Sequence, residues 1–202
     1  MNKFGFACKY IDFPSQINGI KATDSAKQYN TGTTTVAWLG RQTQKTAEEK
    51  LWSLVKQNLE ATRKLVQKVA SLPEPLRMLR ISSDILPVYT HSDWRYFYQQ
   101  PSVQEYCSTN FYRIGELARV SGVRLSFHPG QFCVISSDRP DVVANSIEEF
   151  EYHSDMVRWL GFGKTFQDMK INIHVSGKLG AAGFRAAYDR LSSVAKNCIT
   201  IE

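Results

Sequence analysis

The stretch VRLSFHPGQF, residues 123–132, decides how this chain is read. Val123–Phe127 is short and alternately apolar, as a strand is, and Gly122 stops a helical pattern just before it. His128 follows at once. Pro129 then fixes the backbone and Gly130 permits a sharp turn, so the chain leaves the strand end abruptly. The same unit, a strand closed by a ligand-type residue, recurs on either side.

Downstream, Lys170–His174 (KINIH) alternates as a strand and ends on His174, and Cys198–Glu202 (CITIE) ends on Glu202. Upstream, Met78–Ile81 reads as a strand whose connection, ILPVYTHSD, carries His91, and Lys3–Cys8 (KFGFAC) reads as the first strand. Helical patterns lie between. Thr46-Ala-Glu-Glu49 has capping-box spacing and opens a helix with a stripe at Leu51, Leu54, Val55, Leu59, Leu65, Val66 and Val69, closed by Pro73 and Pro75. Further helices are predicted over about 103–120, 146–160 and 181–194. The polar stretch from about Lys9 to Lys45 reads as a long loop. Strands alternating with helices imply an α/β chain with a parallel sheet, either an open doubly wound sheet or a barrel of eight βα units. Neither GxGxxG after the first strand nor GxxxxGK[ST] anywhere supports the nucleotide-binding form of the open sheet.

The 202 residues are 43% hydrophobic, 12% aromatic and 22% charged, which excludes a disordered chain. No apolar run reaches the ~20 residues of a membrane span, and the start MNKFGFACKYIDF shows no signal peptide. Cys8, Cys107, Cys133 and Cys198 form no CxxC pair; they read as buried, reduced thiols of a cytoplasmic protein. The net charge of +6 weakly favours a polyanionic partner.

The chain has four histidines, His91, His128, His153 and His174. Three of them, with Glu202, lie at or beyond the carboxyl ends of strands two to five. In a βα barrel those ends open onto one face, and imidazole with carboxylate suits zinc, manganese or iron. His153, inside FEYHSDM, reads as a partly exposed helix histidine. For Gln131 and Phe132 two readings stand level: an amide and a ring turned outward for base contact, or an ordinary turn with Phe132 in the core. Asp84–Tyr98 (DILPVYTHSDWRYFY) interleaves aromatics with Arg95, which suits an opened nucleic-acid strand or, equally, a packed loop and helix start. Arg124 and Lys170 stand at strand starts and are not assigned to substrate.

Taken together, FGFAC (4–8), NTGTTTVAWL (30–39), RISSDILPVYTHSD (80–93), RLSFHPGQF (124–132), INIHVSG (171–177) and ITIE (199–202) resemble the ultraviolet damage endonuclease family across the whole chain. HPG at this strand is shared with related apurinic endonucleases, and GFAC favours the ultraviolet branch. The resemblance implies a (β/α)8 TIM barrel, of which this chain carries the first five strands and four helices. It implies a divalent metal cluster, manganese with zinc or magnesium as alternatives, and a nick 5′ to pyrimidine dimers and 6-4 photoproducts in double-stranded DNA. Carried over, His91, His128, His174 and Glu202 match metal ligands, with Glu202 and His128 at the catalytic centre. Gln131 and Phe132 match the pair that probes bases opposite the lesion, Phe132 standing where tyrosine is common. Phe6 and Tyr10 fall at lesion-contact positions where tyrosine and asparagine are common. A monomer is expected. The alternatives are an apurinic endonuclease or sugar isomerase on the same barrel, and a non-catalytic damage-binding module.

A βα barrel takes roughly 250 residues. The reading therefore expects 1–202 to be a single, C-terminally truncated barrel domain, with roughly three βα units and further ligands beyond Glu202.

Overall fold

The computed structural model describes residues 3–11 and 24–201. The chain divides into two compact units, Met1–Arg124 and Leu125–Glu202.

In the first unit, β1 (Gly5–Ala7) pairs in parallel with β2 (Met78–Arg80), Phe6 standing opposite Leu79. A Cβ on Gly5 would lie 1.8 Å from the Met78 carbonyl oxygen, so only glycine lets these backbones approach so closely. The polar stretch before the first long helix is not a plain loop. Residues 12–23 of it lie outside the described residues; its described part holds two short helices, α1 (Asp24–Lys27) and α2 (Val36–Leu39), the latter capped by Thr35. The long helix α3 spans Gln44–Ala70 and buries every residue of the expected apolar stripe. Its N-cap is Thr43, whose Oγ1 accepts from the Thr46 backbone N–H at 3.2 Å. Thr46 is thus inside the helix and not its cap, because an earlier threonine already satisfies its amide.

After β2 come α4 (Arg95–Gln99) and α5 (Pro101–Val120). Pro101 at the first turn, where an N–H has no partner to lose, starts α5 two residues before the expected Val103.

In the second unit, β3 (Arg124–Phe127), β4 (Lys170–Ile173) and β5 (Ile199–Ile201) are parallel neighbours in chain order. The register sets Phe127 against Ile171 and Ile173 against Ile201. Phe127, Ile171 and Ile173 are buried. Pleating then turns the intervening residues to the other face. Helix α6 spans Pro140–Trp159, again opened by a proline at the first turn and so six residues longer than expected at its start. The single helix expected over 181–194 is two, α7 (Gly180–Asp189) and α8 (Ser193–Cys198). Ser192 breaks them apart by capping α8, its Oγ accepting from the Ala195 N–H.

No helix among the described residues is long and apolar enough to cross a membrane.

Candidate functional site

His128 and His174 are each the first residue beyond a strand. With Phe127 level with Ile171, pleating puts both histidines on the face opposite the buried Phe127 and Ile173. Their rings meet with centroids 4.9 Å apart, inclined at 63°. His128 Nδ1 lies 2.8 Å from the Pro129 carbonyl. A carbonyl only accepts, so in the neutral ring Nδ1 carries the hydrogen and Nε2 keeps its lone pair. In that tautomer the imidazole can bind a metal through Nε2, with Nδ1 held by a backbone partner.

The turn after His128 is pinned at both ends. Cys133 N–H closes it onto the Gly130 carbonyl at 2.9 Å. Ser146, buried in α6, accepts the Val134 N–H at 2.9 Å and donates to the Val142 carbonyl at 2.7 Å, while the Cys133 thiol reaches the Ser146 carbonyl at 3.5 Å. Between these pins Gln131 is exposed and Phe132 is 85% exposed. Of the two readings of this turn, the structure has the ring turned outward and not packed in the core.

The loop after β4 is seated on the loop after β3. Leu179 N–H donates to the Ser136 carbonyl at 3.1 Å, and Lys178 pairs with Asp138 at 2.9 Å. Gly177 lies so close that a Cβ there would come within 2.1 Å of the same Ser136 oxygen. Backbone contact on this scale leaves the His174 loop little freedom relative to the His128 loop.

His153 is fully buried, which corrects the expectation of a partly exposed side chain. It shares a helix stripe with Ser146, Phe150 and Val157, all buried. Its ring stands edge-on to Phe127 at 5.3 Å and to Tyr152 at 5.0 Å, and Nδ1 lies 2.7 Å from the Glu149 carbonyl. Burial pushes it down to about 4; the Glu149 carbonyl works against that and the charge of His128 adds to it. It is a neutral histidine behind the strand end, and its closeness to His128 was not legible from chain spacing. Cys107, Cys133 and Cys198 are buried free thiols, each pushed up to about 12 mainly by burial, and so stay protonated.

The remaining expected residues belong to the first unit or lie outside the described residues. His91 Nδ1 accepts the Asp93 N–H at 3.3 Å and stands 3.9 Å from the Asp93 carboxylate. In its aromatic segment Trp94, Phe97 and Tyr98 are buried, and Tyr98 donates to the Pro87 carbonyl at 2.6 Å, so the packed reading holds for these three. Tyr96 and Arg95 are exposed. Phe6 shares the face of buried Leu79 and meets Tyr10 at 6.2 Å; Tyr10 in turn meets Tyr29 edge-on at 5.0 Å, with the Lys68 ammonium 5.9 Å from its ring. Glu202 lies outside the described residues. Of the four expected ligands, the described structure therefore brings together His128 and His174. Among the described residues no group of three or more His, Cys, Asp and Glu converges.

One residue was missed altogether. Asn58, fully buried in α3, accepts the Gly32 N–H at 2.8 Å. Its amide donates to the carbonyls of Gly32, Asp84 and Ile85 at 2.9, 3.1 and 3.0 Å. It ties the threonine-rich loop before α2 to the connection after β2. An asparagine on the apolar stripe of α3 was the available signal.

A family model described as UV-endonuclease UvdE matches residues 2–202. A curated UV DNA damage endonuclease of Bacillus velezensis is 35% identical over 160 residues, covering 77% of this chain and 47% of that protein. Its counterpart in Bacillus mycoides is 32% identical over 133 residues, 66% of this chain and 39% of that protein. The chain thus spans about half or less of the length of these relatives. The crystal structure of SacUVDE matches with a TM-score of 0.71 at 21% identity, over 100% of this chain and 60% of that one. This likeness shows the fold: the parallel βα units are those of a TIM-barrel-like structure.

Proposed function

This chain belongs to the UV-endonuclease UvdE family, and from that premise we propose that it forms part of a metal-dependent DNA repair endonuclease that nicks the backbone 5′ to ultraviolet photoproducts. The observation that carries the proposal is the facing His128–His174 pair, followed on one strand by a pinned turn that presents Gln131 and Phe132 to solvent.

The donor set fits a divalent cation. Two imidazoles share one strand-end face, and the His128 tautomer leaves Nε2 basic. In this reading His128, His174, His91 and Glu202 hold the ions, manganese by expectation with zinc or magnesium as alternatives. Bound divalent ions supply Lewis acidity at the phosphate and acidify water. The chain's own residues orient the DNA. The Gln131 amide offers a donor and an acceptor to a base edge, and the Phe132 ring offers an apolar face for stacking or wedging. Ser146 keeps that ring on a fixed base. A photoproduct stacks weakly, so opening the duplex there costs less than at normal bases.

The test is a nicking assay with the full-length protein and manganese on a duplex carrying one pyrimidine dimer. Incision 5′ to the dimer, abolished by Glu202→Gln with binding retained, supports the proposal. Incision no greater than on undamaged duplex overturns it, and preference for an abasic site moves the assignment to an apurinic endonuclease.

A further inference from the structure

We propose that Leu179 is a second DNA-contacting side chain, entering the opened base stack beside Phe132 and so helping to set lesion specificity. The inference rests on the endonuclease reading above and extends it to a residue that neither the family motifs nor the histidine pattern singles out.

Leu179 is 51% exposed although its backbone is hydrogen-bonded on both sides. Its N–H is bonded to the Ser136 carbonyl, and its own carbonyl accepts the Gly183 N–H at 3.1 Å. Gly180 N–H closes onto the Gly177 carbonyl at 3.0 Å. Gly183 runs close enough that a Cβ there would lie 3.3 Å from the Ser136 Cα and 2.5 Å from the Leu179 Cβ. The backbone of this residue is therefore fully committed while its apolar side chain is left half in water. Folding does not gain the burial that a leucine could supply there.

Position adds to this. β3 and β4 are parallel neighbours, so the chain leaves both strands at the same end of the sheet. Phe132 lies on the exit from β3 and Leu179 on the exit from β4. Ser136, in the first loop, is the residue on which the second loop is seated. The joint couples the base of the Phe132 turn to the base of Leu179. Two exposed apolar side chains carried by one rigid joint match a wedge, since proteins that unstack a base step insert phenylalanine, leucine, isoleucine or methionine. A step already weakened by a photoproduct opens at lower cost. Charge points to the same partner: Lys178 beside Leu179 is solvent-exposed and its pairing with Asp138 is a surface contact that a phosphate can replace.

The experiment uses the full-length protein as wild type, Leu179→Ala and Leu179→Met. Affinity is read by fluorescence anisotropy for a duplex with one pyrimidine dimer and for the same duplex undamaged. A 2-aminopurine placed opposite the dimer reports unstacking. Expected is a loss of about tenfold in affinity for the damaged duplex with Leu179→Ala and a reduced 2-aminopurine signal. Undamaged-duplex affinity, Tm and manganese content stay at wild-type values, and Leu179→Met restores binding. Damaged-duplex affinity and 2-aminopurine signal equal to wild type overturn the inference, as does an equal loss on both duplexes with a lowered Tm, which would make Leu179 structural. A wild type that does not prefer the damaged duplex overturns the endonuclease reading itself, and the inference with it.

Discussion

His128 and His174 face each other across neighbouring parallel strands, their ring centroids 4.9 Å apart. Two imidazoles at adjacent strand ends are placed so that one cation can use both. In the full-length protein, His128→Ala and His174→Ala should each lower manganese affinity by about 10- to 100-fold or more, read by titration calorimetry. The double variant should lose much less than the product of the two, because residues acting on one ion are not independent. Full affinity in either single variant would take that residue out of the metal site.

Gly177 is the contact on which the His174 loop rests. A methyl group there would sit 2.1 Å from the Ser136 oxygen and 2.8 Å from the Ser137 nitrogen, both backbone atoms with no rotamer to yield. Gly177→Ala should cost about 1–3 kcal/mol in denaturant unfolding. Because His174 lies three residues upstream, manganese affinity should fall with it. A variant with unchanged midpoint and unchanged metal binding would show that the joint yields freely.

Asn58 carries four hydrogen bonds in a site without exposure. Asn58→Ala leaves the Gly32 N–H and the carbonyls of Gly32, Asp84 and Ile85 without this partner, at a cost of about 3 kcal/mol or more. Asn58→Asp should be no milder. It keeps the acceptor for Gly32 but turns a carboxylate oxygen toward three carbonyls. Unfolding midpoints within the error of wild type for both variants would contradict the clamp.

The order of strands and helices was legible because the apolar periods switch cleanly between 2 and 3.6 and prolines mark the breaks. What escaped was local capping and depth. Thr43 and Thr46 both offer a cap, and only the backbone geometry chooses between them. Polar residues on an apolar stripe, Asn58 in α3 and Ser146 and His153 in α6, are the places where the chain buries hydrogen-bonding groups for a purpose. Each stands at helical spacing from buried neighbours. The strand-end histidines were legible as a class, but their pairing depends on the register of β3 with β4, which spacing does not contain.

His153 makes the cost of such burial measurable. An unfolded histidine titrates near 6.5, while burial holds His153 down to about 4 in the folded protein. Between these values the unfolded chain binds a proton that the folded chain refuses. Stability is therefore whole above about pH 6.5 and falls as the pH drops toward about 4, by up to about 3 kcal/mol from this one group. His153→Phe places another ring against Phe127 and Tyr152 without the titration. Its unfolding free energy should decline less than wild type between about pH 7 and pH 4, and carboxylates elsewhere cancel in the difference. Equal slopes for the two proteins over that range would mean that His153 is not held neutral by the fold.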